Sequence, residues 1–220
     1  MKLTTETISV LKNFSTINQN LMVKAGSNIC TMSAMKNIIA KATVNESFPK
    51  DFAIYDLNDF LSALSLFGTP DLEFDDKFVT ITEEGTSKSL KFWFSDPAVV
   101  TTPSKEISMP STELKFNLSS DILNGITKAA AVIGAPDMAL TGGKLSVTDK
   151  KNSTANNFET SLDVGDVDAE YKFWFKVDNL KIMPGSYDVE VSSKKISHFT
   201  NKKMDVQYWI ALEPESSYNA

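Results

Sequence analysis

Nucleophilic catalysis needs a base beside its nucleophile, and this chain offers one histidine, His198, between Ser197 and Phe199 in a strand-like run. A Ser-His-Asp or Cys-His system would rest on that residue alone, and a surface histidine on a strand is the simpler reading. Cys30 is the lone cysteine, so it has no internal disulfide partner and belongs to no Cys/His zinc cluster. It reads as a small core residue in a reducing compartment. Gly142-Gly143 is followed by lysine but completes no phosphate loop, and reads as a hairpin turn. Asp163, Asp166, Asp168 and Glu170 suggest calcium but lack the full EF-hand spacing, so a solvated acidic loop fits better, as it does for Asp75-Asp76. Phe92-Trp93-Phe94 and Phe173-Trp174-Phe175 have the composition of base-stacking platforms. Both runs read as strands at matching places in the two halves of the chain, where core packing accounts for them. No catalytic residue, metal or cofactor is expected, and a binding or scaffolding role fits better than an enzyme.

Charge narrows the partners. The formal net charge of −6 argues against an ordinary nucleic-acid-binding domain. All 22 basic residues are lysine, and arginine is the residue for bidentate reading of base edges. Sequence-specific DNA recognition is therefore not expected, while loose contact with phosphates is compatible with lysine. Apolar residues make up 42% of the 220, enough for real cores in one large domain or two ordinary ones. No apolar run is long enough for a membrane helix, and Met1 to Glu6 does not read as a secretory signal. The sequons at Asn13, Asn45, Asn117 and Asn152 then read as chance matches.

The elements that would position any site follow from periodicity. Thr4 or Thr5 caps a first helix with Thr7, Val10, Leu11, Phe14 and Ile17 on one face and Ser9, Lys12, Asn13 and Thr16 on the other. Asp56 or Asn58 caps a second, carrying Leu57, Phe60, Leu61 and Leu64, which stops at Gly68 and Pro70. Ser119 or Ser120 caps a third, with Ile122, Leu123, Ile126, Ala129, Ala130 and Ile133 inward and Asn124 and Lys128 outward. A short fourth is expected over Val177–Met183. Strand-like runs fill the intervals, a mobile loop is expected over Asp149–Asn157, and the tail Glu213–Ala220 reads as frayed. Ser95–Ser111, with Pro97, Pro103 and Pro110, resembles an extended linker in which Ile107 and Met109 are apolar exceptions.

The order of elements repeats at a nearly constant offset. Gly26 falls on Gly142, Trp93 on Trp209, and the apolar stretch ending at Phe67-Gly68 on the one ending at Met183-Pro184-Gly185. The expected fold class is α+β: a domain over residues 1–94, a linker over 95–111 and a second domain over 112–220, each with two helices packed on antiparallel sheet.

Several strings then carry a resemblance. Leu11-Lys12-Asn13-Phe14-Ser15-Thr16-Ile17-Asn18, Ala53-Ile54-Tyr55-Asp56-Leu57-Asn58, Asn179-Leu180-Lys181 with Pro184-Gly185-Ser186-Tyr187, and Ile210-Ala211-Leu212-Glu213 occur in the family's order. Over essentially the whole chain they resemble the sliding clamps of T4-type tailed bacteriophages, the DNA polymerase accessory proteins. The departures lie in Asp71–Ser89, near Asn152 and in the last residues. The resemblance implies domains of the DNA-clamp type in a ring-forming homotrimer, threaded by duplex DNA. It implies a processivity factor that tethers DNA polymerase, is opened by an ATP-driven clamp loader, serves late-transcription factors as well, and works in the cytoplasm of the infected bacterial host. On that reading Lys2, Lys12, Lys128 and Lys181 face DNA, and Ile39, Ile107 and Met109 bind the partner's peptide.

Two other classes compete. A non-catalytic β-rich virion or structural module would also lack catalytic residues, but would not explain amphipathic helices at matching places. A single-strand binder using the aromatic runs predicts binding to linear oligonucleotides without a loader.

Overall fold

Thr4 opens the first helix. Its hydroxyl accepts from the Thr7 backbone N–H at 3.2 Å, and α1 (Thr5–Ile17) buries Thr7, Val10, Leu11, Phe14 and Ile17 at spacings of three and four. The computed structural model describes residues 1–103 and 106–219, and its chain divides into two compact units, Met1–Lys105 and Glu106–Ala220.

In the first unit α1 is followed by β1 (Leu21–Val23), β2 (Gly26–Met32), β3 (Ile38–Phe48) and β4 (Phe52–Ile54), joined in the order β4-β1-β2-β3. The helix α2 (Leu57–Ser65) starts at Asp56, whose carboxylate accepts from Asn58 and Asp59 N–H at 2.9 and 3.3 Å. A meander, β5 (Pro70–Phe74), β6 (Phe78–Glu83) and β7 (Ser89–Trp93), forms a separate three-stranded sheet. The helices pack on each other, with α1 against β2 and β3 and α2 against β7. The core is apolar and aromatic, with Phe14, Ile29, Ile54 and Leu57 almost fully buried, each contributing about 1.5–3 kcal/mol relative to exposure.

The second unit follows the same order. It runs β8 (Leu114–Leu118), α3 (Ser120–Ile133), β9 (Asp137–Thr141), β10 (Lys144–Thr148), β11 (Phe158–Ser161), β12 (Glu170–Lys176), β13 (Tyr187–Ser192), β14 (Ile196–Asn201), β15 (Val206–Ala211) and β16 (Ser217–Asn219). Within it the strands pair as β11-β10-β9-β12-β16 and as β8-β13-β14-β15. Ser119 caps α3, which packs on β10 and β11 and ends at Gly134 in the left-handed conformation. The repeat is therefore structural: the hairpin β1–β2 answers β9–β10, with Gly26 and Gly142 both at positive φ (105° and 55°). The meander β5–β6–β7 answers β13–β14–β15. Even β8 has its counterpart, since Lys2 forms an isolated bridge with Asp71 where β8 pairs with β13.

Several expectations are corrected. The fourth helix over 177–183 is only a 3-10 turn, Val177–Asn179: Lys176 before it has no side-chain acceptor to cap it, and Leu180 leaves helical geometry at ψ 47°. Only Leu123, Ile126 and Ala130 of the inward face expected for α3 are fully buried; Ile122, Ala129 and Ile133 are half-buried. The aromatic runs do not match, because Phe92-Trp93-Phe94 sits at β7 and Phe173-Trp174-Phe175 in β12, which answers β4. Phe173 and Phe175 are core residues, whereas Trp93 is 62% exposed. His198 is half-buried rather than on the surface, stacked on Trp209 at 4.5 Å with Nε2 at 3.0 Å from Gln207 Oε1. The expected frayed tail ends in β16.

The segment expected as linker begins bound. Ser95 N–H donates to the Ala53 carbonyl at 2.9 Å, Val100 is buried with Met22 and Ala53, and Thr101 N–H donates to Asn20 Oδ1 at 3.1 Å. Ser104 and Lys105 of the expected linker lie outside the described residues. Residues 106–110 carry no regular secondary structure.

Candidate nucleic-acid interface and partner face

The helices present their polar faces outward because their apolar faces are committed to the cores. On α1, Lys12 is exposed on the face opposite Leu11 and Phe14, with Thr16 one turn on. On α3, Lys128 is exposed with Asn124 one turn before it and Val132, 77% exposed, one turn after. The outward face of α2 holds Asn58, Asp59, Ser62 and Ser65 and no lysine.

Lys2 and Lys181 stand elsewhere. Lys2 is exposed beside the N-terminus, 3.8 Å from Glu84, an ion pair open enough to be weakly held. The terminal ammonium next to it lies 2.5 Å from Asp71, and this hydrogen bond holds the Asp71 carboxyl below its ordinary range. Lys181 is exposed just beyond the 3-10 turn, outside any regular element. The structure thus puts Lys12 and Lys128 on equivalent helices of the two units, and Lys2 and Lys181 on no helix.

The apolar candidates fall in different units. On β3, Ile38, Ala40 and Ala42 point inward, so the alternation turns Ile39 and Lys41 outward, half-buried. Register places Met32 opposite Ile39 and Cys30 opposite Lys41. Burial pushes the Cys30 thiol up to about 11, with Lys41 opposing the shift, so this face carries a neutral thiol. Met32 escaped the sequence reading because only register reveals it. Ile107 and Met109 are half-buried while Glu106, Ser108 and Pro110 are exposed.

Comparison with known proteins decides the family. A sequence profile described as DNA polymerase processivity factor matches residues 4–100, and one described as gp45 sliding clamp, C terminal, matches residues 115–214. The sliding clamp of Vibrio phage KVP40 is 38% identical over 97% of this chain and 99% of its own. The chain belongs to the phage sliding-clamp family. Sliding clamps of Enterobacteria phage T4 and Escherichia phage RB69 are 30% and 28% identical over the full length of both partners. The fold extends further: the PCNA2–PCNA3 complex of Sulfolobus tokodaii aligns with a TM-score of 0.69 at 13% identity, covering 95% of this chain and 96% of that one. PCNA of Thermococcus kodakaraensis aligns at 0.67 with 15% identity, covering 94% and 96%. The virion or structural module is not favoured, and sliding clamps are in general non-catalytic.

Proposed function

We propose that the chain assembles into a closed homotrimeric ring that encircles duplex DNA without reading it and tethers a replicative DNA polymerase. The observation that carries this is the pair α1 and α3, equivalent helices that each carry one exposed lysine, Lys12 and Lys128, at corresponding places on the outward face. Exposed lysines give weak, screened contacts with phosphates that store no sequence-dependent energy, which suits sliding. In this reading Lys12 and Lys128 face the duplex with Lys2 and Lys181 at the rim, and acidic residues elsewhere account for the net charge of −6.

Assembly would use free sheet edges. Among the described residues β7 pairs only with β6 and β11 only with β10, and each edge carries an exposed aromatic, Trp93 at 62% and Phe158 at 41%. The two edges differ, so joining one to the other is a heterologous contact, which closes into a ring when the rotation allows. Partner peptides, the polymerase first and late-transcription factors with it, would use the outward face of Ile39 and the apolar pair Ile107 and Met109. An ATP-driven loader would open the ring, the chain itself would hydrolyse nothing, and its place would be the cytoplasm of the infected host cell. The domain bounds 1–94 and 112–220, with the linker between, are proposed on the same footing.

Retention on DNA tests this reading. Loaded protein should survive high salt on closed circular DNA and run off the same DNA once linearised. Loss from both at the same salt concentration would exclude encirclement.

A further inference from the structure

The segment after β15 has a specific seat. Glu213 N–H donates to the Trp174 carbonyl at 2.8 Å, and Trp174 N–H donates to Ser216 Oγ at 2.9 Å. Ser217–Asn219 then pairs antiparallel with Glu170–Lys172, and Tyr218 stacks over Phe173 at 6.3 Å. Residues 213–219 therefore occupy the edge of β12 that β9 leaves open.

The seat is cationic. Lys150 Nζ lies 3.2 Å from Glu213 and 3.1 Å from Glu215, and Lys176 Nζ lies 3.7 Å from Glu213. The ammonium groups of Lys150 and Lys172 stand 5.6 and 4.7 Å from the centre of the Trp174 ring. Burial alone would lower the Lys150 ammonium; the hydrogen bonds to Glu215 and Glu213 outweigh it and hold the group above its ordinary value. Remove the segment and what remains is a strand edge with free backbone groups, Lys150 and Lys172 over an indole, and the face of Phe173, while Lys176 stays paired with Asp137 at 2.5 Å. Strand addition takes its affinity from such backbone groups and its specificity from the alternate side chains.

We propose that the outer edge of β12 is a strand-addition site for extended acidic peptides of the pattern Glu-x-Glu-x-x-aromatic, and that residues 213–219 are its tethered occupant. The tether is short, which sets an effective concentration of about millimolar order, so a free peptide must compete with it. The weakest part of the occupant is its end: its strand is three residues long, Ser217 and Asn219 are exposed, and Glu215 is 59% exposed, whereas Lys150 and Glu213 are largely covered. The site takes a partner only when the segment leaves.

A full-length E213K/E215K variant tests this with a fluorescent peptide of the natural residues 213–219 as probe. The variant should bind the peptide at least about tenfold more tightly than the unaltered chain, since its own segment no longer competes. Amide exchange at Trp174 should rise in the variant while the β13–β15 amides keep their protection, and adding K150E should abolish peptide binding. Equal binding to both chains, no binding to the variant, or unchanged Trp174 exchange would each overturn the proposal.

Discussion

Glu46 accepts a hydrogen bond from the Thr7 hydroxyl, joining the inward face of β3 to the first turn of α1. Its other oxygen accepts from the Thr4 backbone N–H, so one buried carboxylate, 8% exposed, serves the start of the helix. Burial pushes this carboxyl up, but the hydrogen bonds from Thr7 and Thr4 outweigh it and hold it below the 4.5 of a free glutamate. The stabilisation is therefore present above the unfolded value and is lost as pH falls through the lower folded value. Glu46→Ala should cost about 1–3 kcal/mol in urea unfolding at neutral pH, because two donors lose their partner. The deficit should shrink below pH 4.5, where the natural chain also loses the charge. A deficit independent of pH would show that lost packing, not the ionised cap, is responsible.

Two glycines at corresponding corners should behave differently. At Gly185, φ is +148° and an added Cβ would lie 2.8 Å from Asn201 Nδ2, so both backbone and space oppose a side chain. Gly68 has no such φ, and its Cβ would meet the end of the Glu83 side chain at 2.8 Å. Gly185→Ala should therefore cost about 1–3 kcal/mol and Gly68→Ala less. Urea midpoints of the two variants give the order directly, and a reversed order would refute the strain argument.

Charge reversal on the helices addresses the DNA-facing lysines. Lys12→Glu and Lys128→Glu leave both helix cores untouched. Each lost phosphate contact should lower the slope of log affinity against log salt by about 0.9. Reversible binding of the unloaded protein to short linear duplex across a salt series reads this. An unchanged slope in both variants would place these lysines away from the duplex.

The exposed indole of Trp93 sits on a free edge, so Trp93→Asp should cut assembly without harming the fold. In the proposed ring the indole is buried in the contact, so sedimentation should move from the assembled form toward the single chain, by at least about tenfold in the association constant. An unaltered mass at low concentration would remove β7 from the interface.

Ile107→Asp and Ile39→Asp should each weaken a polymerase C-terminal peptide by at least about tenfold, since a buried charge without a partner is costly. Met32→Asp should do the same, because register sets Met32 opposite Ile39. Mass in solution should stay that of the natural chain. Full peptide binding by all three would send the partner site elsewhere.

Much of this protein could be read from local patterns. The caps Thr4, Asp56 and Ser119 act on the turn that follows them, so each helix start was legible from a few residues. Gly26 and Gly142 mark turns by their own backbone freedom, and their spacing marks the repeat. Lys12 and Lys128 followed from helical period alone, and the outward turn of Ile39 follows from strand period.

Other features depend on neighbours distant in the chain. The exposure of Trp93 and the burial of Trp209, equivalent by sequence, differ because packing on the two sheets decides what covers each ring. The hydrophilic tail looks frayed in isolation, and it is held because Lys150, Lys176 and the β12 edge converge on it. The 3-10 turn at Val177–Asn179 passed for a helix because apolar spacing does not report a missing cap. Elements, repeat and family were determined by sequence, through short-range sterics and periodicity. Which edge stays open, which charges pair and which aromatic rings face solvent were decided by tertiary structure, since register and long-range packing alone bring those groups together.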